Sequence, residues 1–108
     1  MVAELDPDAL YHLVTPTERA RYDEDGSSEP PSLVAEGFVH CSWGRQVMAT
    51  VARHFAGAPE IVALELDRDA VAEHLVEEDT AGSGEAFPHV YAAIPISAVR
   101  GAVALPVP

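Results

Sequence analysis

Apolar residues gather in short runs along this chain, parted by stretches rich in acid, glycine and proline, a rhythm of short strands and helices. Leu10-Tyr11-His12-Leu13-Val14 reads as a first strand with a histidine between large apolar neighbours. Thr15-Pro16-Thr17-Glu18 then carries a helix-start signature: a threonine cap, proline in the first turn, and glutamate placed to reach back. The helix is expected to run to about Tyr22. Asp23 to Pro31 has no apolar residue and two prolines, so it reads as an exposed connector or a lid. A turn of helix over Ser32 to Glu36 leads to a second strand, Gly37-Phe38-Val39-His40-Cys41-Ser42. Gln46, Val47, Met48, Val51, Ala52 and Phe55 follow at helical spacing, predicting a helix from Gly44 to Phe55 that stops at Gly57. Glu60 to Leu66 is a third strand, apolar enough at its centre for burial on both faces. Asp67 starts a short helix to His74, and Leu75 to Glu77 forms a short strand. Asp79 to Glu85 is a flexible loop, Phe87 to Tyr91 a strand, Ile94 to Ser97 a turn, and Val99 to Val107 a last apolar segment.

These elements predict an α+β fold in one domain over residues 1–108, with residues 1–8 as a loosely held terminus. The expected sheet is mixed or antiparallel, of about five or six strands, with two or three helices. A chain of 108 residues suits one core and is too short for two.

Charge narrows the classes of partner. Eighteen acidic residues stand against six basic ones, all arginine, for a formal charge of −12. Such a surface repels phosphate backbones and anionic lipid, so no nucleic acid and no membrane are expected as partners, and a small-molecule ligand is. No apolar run approaches the roughly 20 residues that span a bilayer. The first residues lack the pattern of a secretory signal and one cysteine cannot form an internal disulfide, so the expected location is cytoplasmic.

The candidate chemistry lies in the strands. Alternation puts Phe38, His40 and Ser42 on one face and Val39 and Cys41 on the other, and puts Phe87, His89 and Tyr91 together on a face of theirs. Ser42 stands where a strand meets a helix and reads as an N-cap. His12, His40 and His89 are each flanked by apolar residues within predicted strands, and burial requires each to find a polar partner. If they converge, they are catalytic candidates, because imidazole is the side chain suited to proton transfer near neutral pH, with Ser42 and Tyr91 to orient it. No metal is expected, since no two histidines have the close spacing of a ligand pair and no acidic ligand stands beside any of the three. Cys41 is turned away from His40 and reads as a core residue rather than a nucleophile.

Tyr11-His12-Leu13-Val14-Thr15-Pro16, Gly37 to Ser42 and Phe87-Pro88-His89-Val90-Tyr91, in this order and at these separations, resemble the bacterial family catalogued as domain of unknown function 952. The resemblance runs from about Leu10 to Val107. That family is in turn similar to the ADP-ribosyltransferase superfamily, especially its small RNA 2′-phosphotransferase branch. The resemblance implies an ADP-ribosyltransferase-like fold in which His12 holds the nicotinamide-ribose half of NAD and His40 and Ser42 line the same cleft. Thr15, Ser42, Arg45 and Tyr91 form the implied substrate-binding set, with Arg45 as the main contact for an anionic group. Glu77, Glu78 or Glu85 would serve as the superfamily's catalytic glutamate. Six arginines and no lysine weigh against a dinucleotide's negative charges. Three readings therefore stay open: an NAD-using transferase, an acid–base enzyme on another small metabolite, and a ligand-binding module without chemistry.

Overall fold

Strand β1 (Leu10–Val14) is buried at every position because each of its faces meets an apolar cluster. Leu10 and Val14 pack into one with Val39, Trp43, Leu64 and Val90, while Tyr11 and Leu13 pack into the other with Val47, Val51 and Ile61. β5 (Glu60–Leu66) is divided in the same way, with Val62, Leu64 and Leu66 on one side and Ile61 and Ala63 on the other. Burial on both faces explains why these two strands read as apolar runs rather than as alternating ones.

A computed structural model describes residues 5–28, 30–58 and 60–106. The central sheet has the order β4-β1-β5-β9, with β4 at Ser42–Trp43 and β9 at Val99–Pro106. Helix α3 (Gly44–His54) packs on one side of it through Val47 and Val51. A second sheet packs on the other side, made of β3 (Val39–His40), β7 (Phe87–Val90) and β6 (Leu75–Glu78) in that order. A two-stranded ribbon joins β2 (Ser27–Ser28) to β8 (Ile94–Pro95). Helices α1 (Pro16–Asp25), α2 (Pro31–Glu36) and α4 (Arg68–Val71) complete a small α+β domain in which every strand pairing among the described residues is antiparallel. Among the described residues the strands thus form three sheets rather than one, and there are four α-helices rather than two or three. No helix among the described residues is long and apolar enough to cross a membrane.

Local chemistry accounts for several boundaries. Thr15 caps α1 as a capping box: its hydroxyl accepts from the Glu18 N–H at 3.1 Å and the Glu18 carboxylate accepts from the Thr15 N–H at 2.9 Å. Ser42 does not cap α3. Trp43 takes that place, its N–H donating to Gln46 Oε1 at 3.0 Å. The next two amides, of Gly44 and Arg45, donate to the carbonyls of Ala9 and Pro7 at 2.9 and 3.2 Å. The chain start therefore caps the helix, and residues 5–8 are not loose: Leu5 packs on the core and the Asp6 N–H donates to Tyr11 Oη at 3.0 Å. The part of the expected loose terminus at 1–4 lies outside the described residues, as do Pro59 and Val107.

Three other expectations change. The run from Gly37 to Ser42 is two strands, because at Cys41 the chain leaves the second sheet and enters the central one, with the Cys41 N–H donating to the Pro88 carbonyl at 3.1 Å. The expected open loop from Asp23 to Pro31 instead completes α1 to Asp25, turns at Gly26 with φ 79°, and enters the ribbon through Ser27 and Ser28. Residue 29 is outside the described set. In α3, Met48 is about half exposed, because the buried stripe is formed by Gln46, Val47 and Val51.

Candidate functional site

The hairpin of β6 and β7 sets Val76 opposite His89 and Glu78 opposite Phe87, while β3 sets His40 opposite His89. Opposed residues and residues two apart share a face, so Glu78, His40, His89 and Tyr91 belong to one side of the second sheet. There His89 is buried, and its Nδ1 lies 2.9 Å from Glu78 Oε1. The Tyr91 hydroxyl donates to the same oxygen. The bonds from Tyr91 and from His89 hold the Glu78 carboxyl below the usual carboxylate range, and that carboxylate in turn pushes the Tyr91 phenol up. An ionised carboxylate only accepts, so the imidazole carries a proton on Nδ1, and in the neutral ring Nε2 presents a lone pair. His89 borders the cavity, and no described residue bonds that Nε2. Phe38 stacks on the ring with centroids 4.1 Å apart, and His40 meets it edge-on at 5.1 Å.

His12 is buried between the sheets with both ring nitrogens engaged. Its Nδ1 lies 3.3 Å from the His40 carbonyl, which must accept, and its Nε2 lies 2.9 Å from Ser28 Oγ, which then donates. Burial, opposed by the bond to the His40 carbonyl, pushes its pKa down to about 4. This imidazole is a neutral clasp between β1, β2 and β3. Both of its ring nitrogens are engaged within the protein. His40 is exposed at the rim, its Nε2 3.2 Å from Glu36 Oε1.

All three histidines border one cavity of about 420 Å3, within the usual range for a small-molecule site. Ser42 borders it too, its hydroxyl 3.2 Å from Thr50 Oγ1; because Thr50 donates to the Gln46 carbonyl at 3.1 Å, Ser42 donates to Thr50. Thr15 and Arg45 do not border it. Thr15 is spent on its cap, and Arg45 is exposed in the first turn of α3, its amide bonded to Pro7. At the start of α3, the Gly44 and Arg45 amides are taken up by the Ala9 and Pro7 carbonyls. Tyr91 reaches the site through Glu78 rather than by bordering the cavity.

A family described as a protein of unknown function, DUF952, matches residues 13–102. The chain belongs to the DUF952 family. The crystal structure of protein CC0527 from Caulobacter crescentus is 30% identical and superposes with a TM-score of 0.79 over 89% of this chain and 84% of that one. A crystal structure of a double mutant of that protein gives the same values. Its solution NMR structure, 29% identical, gives a TM-score of 0.76 over 88% and 82% of the two chains. No curated protein matches the sequence.

In this DUF952 domain the three glutamates singled out by sequence separate cleanly. Glu77 points to the opposite side of the hairpin and accepts from Trp43 Nε1 at 2.7 Å, and Glu85 accepts from Gln46 Nε2 at 2.8 Å. Of these three, Glu78 is the one that bonds a histidine of the cavity. The loop from Asp79 to Glu85 is internally tied, with Asp79 accepting from the Ser83 and Gly84 amides at 3.1 and 2.7 Å. Arg53 and Thr50 also border the cavity and were not singled out as site residues; the signal was helical spacing, which puts Ala49, Thr50 and Arg53 on one stripe of α3. Among the described residues, no group of three or more His, Cys, Asp or Glu is placed to hold a metal ion. Cys41 borders the cavity, yet its thiol is buried in the core, and burial pushes its pKa up to about 12.

Proposed function

We propose that this protein is a small-molecule enzyme, acting in the cytoplasm, in which His89 held by Glu78 performs general acid–base chemistry inside the histidine-lined cavity. The observation that carries the proposal is the Glu78–His89 bond of 2.9 Å, which fixes the tautomer and leaves Nε2 as the proton acceptor. Phe38 fixes the ring plane and Tyr91 steadies the carboxylate, so the base is oriented before any ligand arrives. The formal charge of −12 supports a small-molecule partner over nucleic acid or a membrane.

A second reading is an ADP-ribosyltransferase-like domain using NAD, with Glu78 as the catalytic glutamate. It is favoured by His12 on β1 and the His40–Ser42 segment bordering one cavity. Weighing against it, both nitrogens of His12 are engaged within the protein, and one arginine, Arg53, borders the cavity against a dinucleotide's phosphates.

Calorimetry with NAD and turnover assays over a metabolite panel separate these readings. The proposal expects no NAD binding and turnover of a panel member that falls about 10²–10⁴-fold in His89→Gln. Binding of a panel member without turnover would make the domain a binding module, and NAD binding with its consumption would establish the second reading.

A further inference from the structure

We propose that Arg53 is the anion-recognising residue of this cavity and that the ligand is a small molecule carrying a single carboxylate group. The inference rests on the cavity being the ligand site, as in the proposed function, and adds the chemistry of what enters it.

The arginines divide by what they touch. Arg19 pairs with Asp23 at 3.9 Å, Arg68 lies over the Trp43 ring at 4.8 Å, and Arg100 borders a separate surface hollow. Arg53 borders the cavity together with His89, and no carboxylate among the described residues pairs with it. Among the described residues only Arg19 has a carboxylate partner, and Arg53 is the arginine that borders the cavity. The cavity's own carboxylates are all committed. Glu78 holds His89, Asp79 accepts from the Ser83 and Gly84 amides, Glu85 accepts from Gln46, and Glu18 accepts from the Thr15 amide. Arg53 is thus a charged group there with its hydrogen-bonding capacity still open.

A cation in the last turn of a helix is favourable by itself, and Arg53 and His54 end α3. That effect accounts for a cation at this end of the helix but not for its side of the helix. Arg53 lies on the stripe of Ala49 and Thr50, which also border the cavity, and Thr50 meets Ser42. The planar fork of a guanidinium matches a carboxylate with two parallel bonds. The lining sets four carboxylates, Glu18, Glu78, Asp79 and Glu85, against Arg53, so each further negative charge is penalised, and a single carboxylate held in the guanidinium fork costs less than a diphosphate.

The test titrates the full chain by calorimetry with short keto, hydroxy and amino acids, with their carboxamides as matched probes and with inorganic phosphate. At least one acid should bind more tightly than its amide and than phosphate. Arg53→Met should weaken that acid about tenfold or more while leaving the amide unchanged. Arg53→Lys, which keeps the charge at the helix end, should recover part of the loss. His89→Gln should lose turnover and keep the preference for acid over amide, so the base and the anion site fail separately. Equal binding of acids and amides, tighter binding of phosphate, no binding of any acid, or unchanged acid binding in Arg53→Met would each overturn the assignment.

Discussion

Phe38 lies stacked on His89, with ring centroids 4.1 Å apart and planes 17° from parallel. Its place follows from chain geometry: Phe38 enters β3, which pairs with β7 so that Val39 faces Val90 and His40 faces His89. With Glu78 bonded to Nδ1, the imidazole is held both in its plane and about its axis. Phe38→Leu should therefore cost about 1 kcal/mol of stability and release the ring-current shift on the His89 ring protons. Urea denaturation and proton NMR measure the two effects; unchanged ring-proton shifts would show that the stack does not position the base.

His12 ties stability to pH. Its pKa is about 4 in the folded protein against 6.5 for the unperturbed group, so between these values the unfolded chain takes up a proton that the folded chain refuses. Its contribution is fully present above 6.5, declines as pH falls below it, and is lost by about 4. The expected loss across this window is about 3 kcal/mol, at about 1.4 kcal/mol per unit. His12→Gln should be less stable at neutral pH and should show a flatter pH dependence. Denaturant unfolding of both proteins across the window measures this, and parallel curves would contradict it.

Gly44 is required by close approach. A Cβ there would lie 1.8 Å from the Asp6 carbonyl oxygen and 2.9 Å from the Pro7 Cα, both backbone atoms that cannot turn aside. Alanine favours a helix over glycine by about 1 kcal/mol, yet displacing the segment that caps α3 costs more. Gly44→Ala should lose about 2 kcal/mol net, a fall in Tm on the order of 10 °C. Calorimetric melting tests it, and an equal or raised Tm would refute the packing argument.

Cys41 should be inert in the native state. Its thiol is buried among Val39, Trp43 and Val90, with its pKa raised to about 12. A thiol reagent should label it only at the rate of opening and fully in denaturant. Rapid stoichiometric labelling of the folded protein would contradict this, particularly if it blocked turnover.

Local signals were legible where chemistry and structure lie close in sequence. The bounds of β1 and β5 and the capping box at Thr15 follow from runs and spacings of a few residues. The start of α3 at Gly44 follows from the spacing too, but its cap does not: a serine beside a helix suggests a cap, whereas the partners actually used are Gln46 and the carbonyls of Pro7 and Ala9. The site mixes the two cases. Three histidines in strand patterns do converge on one cavity, but what separates the clasp His12 from the open His89 is long-range: Ser28 for one, and the hairpin register that delivers Glu78 for the other. Had the β6–β7 pairing been known, alternation alone would have chosen Glu78 over Glu77. Arg45 stands next to the histidine motif in sequence, whereas the arginine that borders the cavity is Arg53, about two turns further along α3.

The central claim is that Glu78 holds His89 with its proton on Nδ1 and its Nε2 open to the cavity. Long-range proton–nitrogen NMR correlation of the uniformly labelled protein, in mildly alkaline solution, reads this tautomer directly. The account predicts that His89 shows a protonated Nδ1 and a bare Nε2, and that Glu78→Ala abolishes this preference. A His89 ring protonated on Nε2, or a tautomer unaffected by removing Glu78, would contradict it.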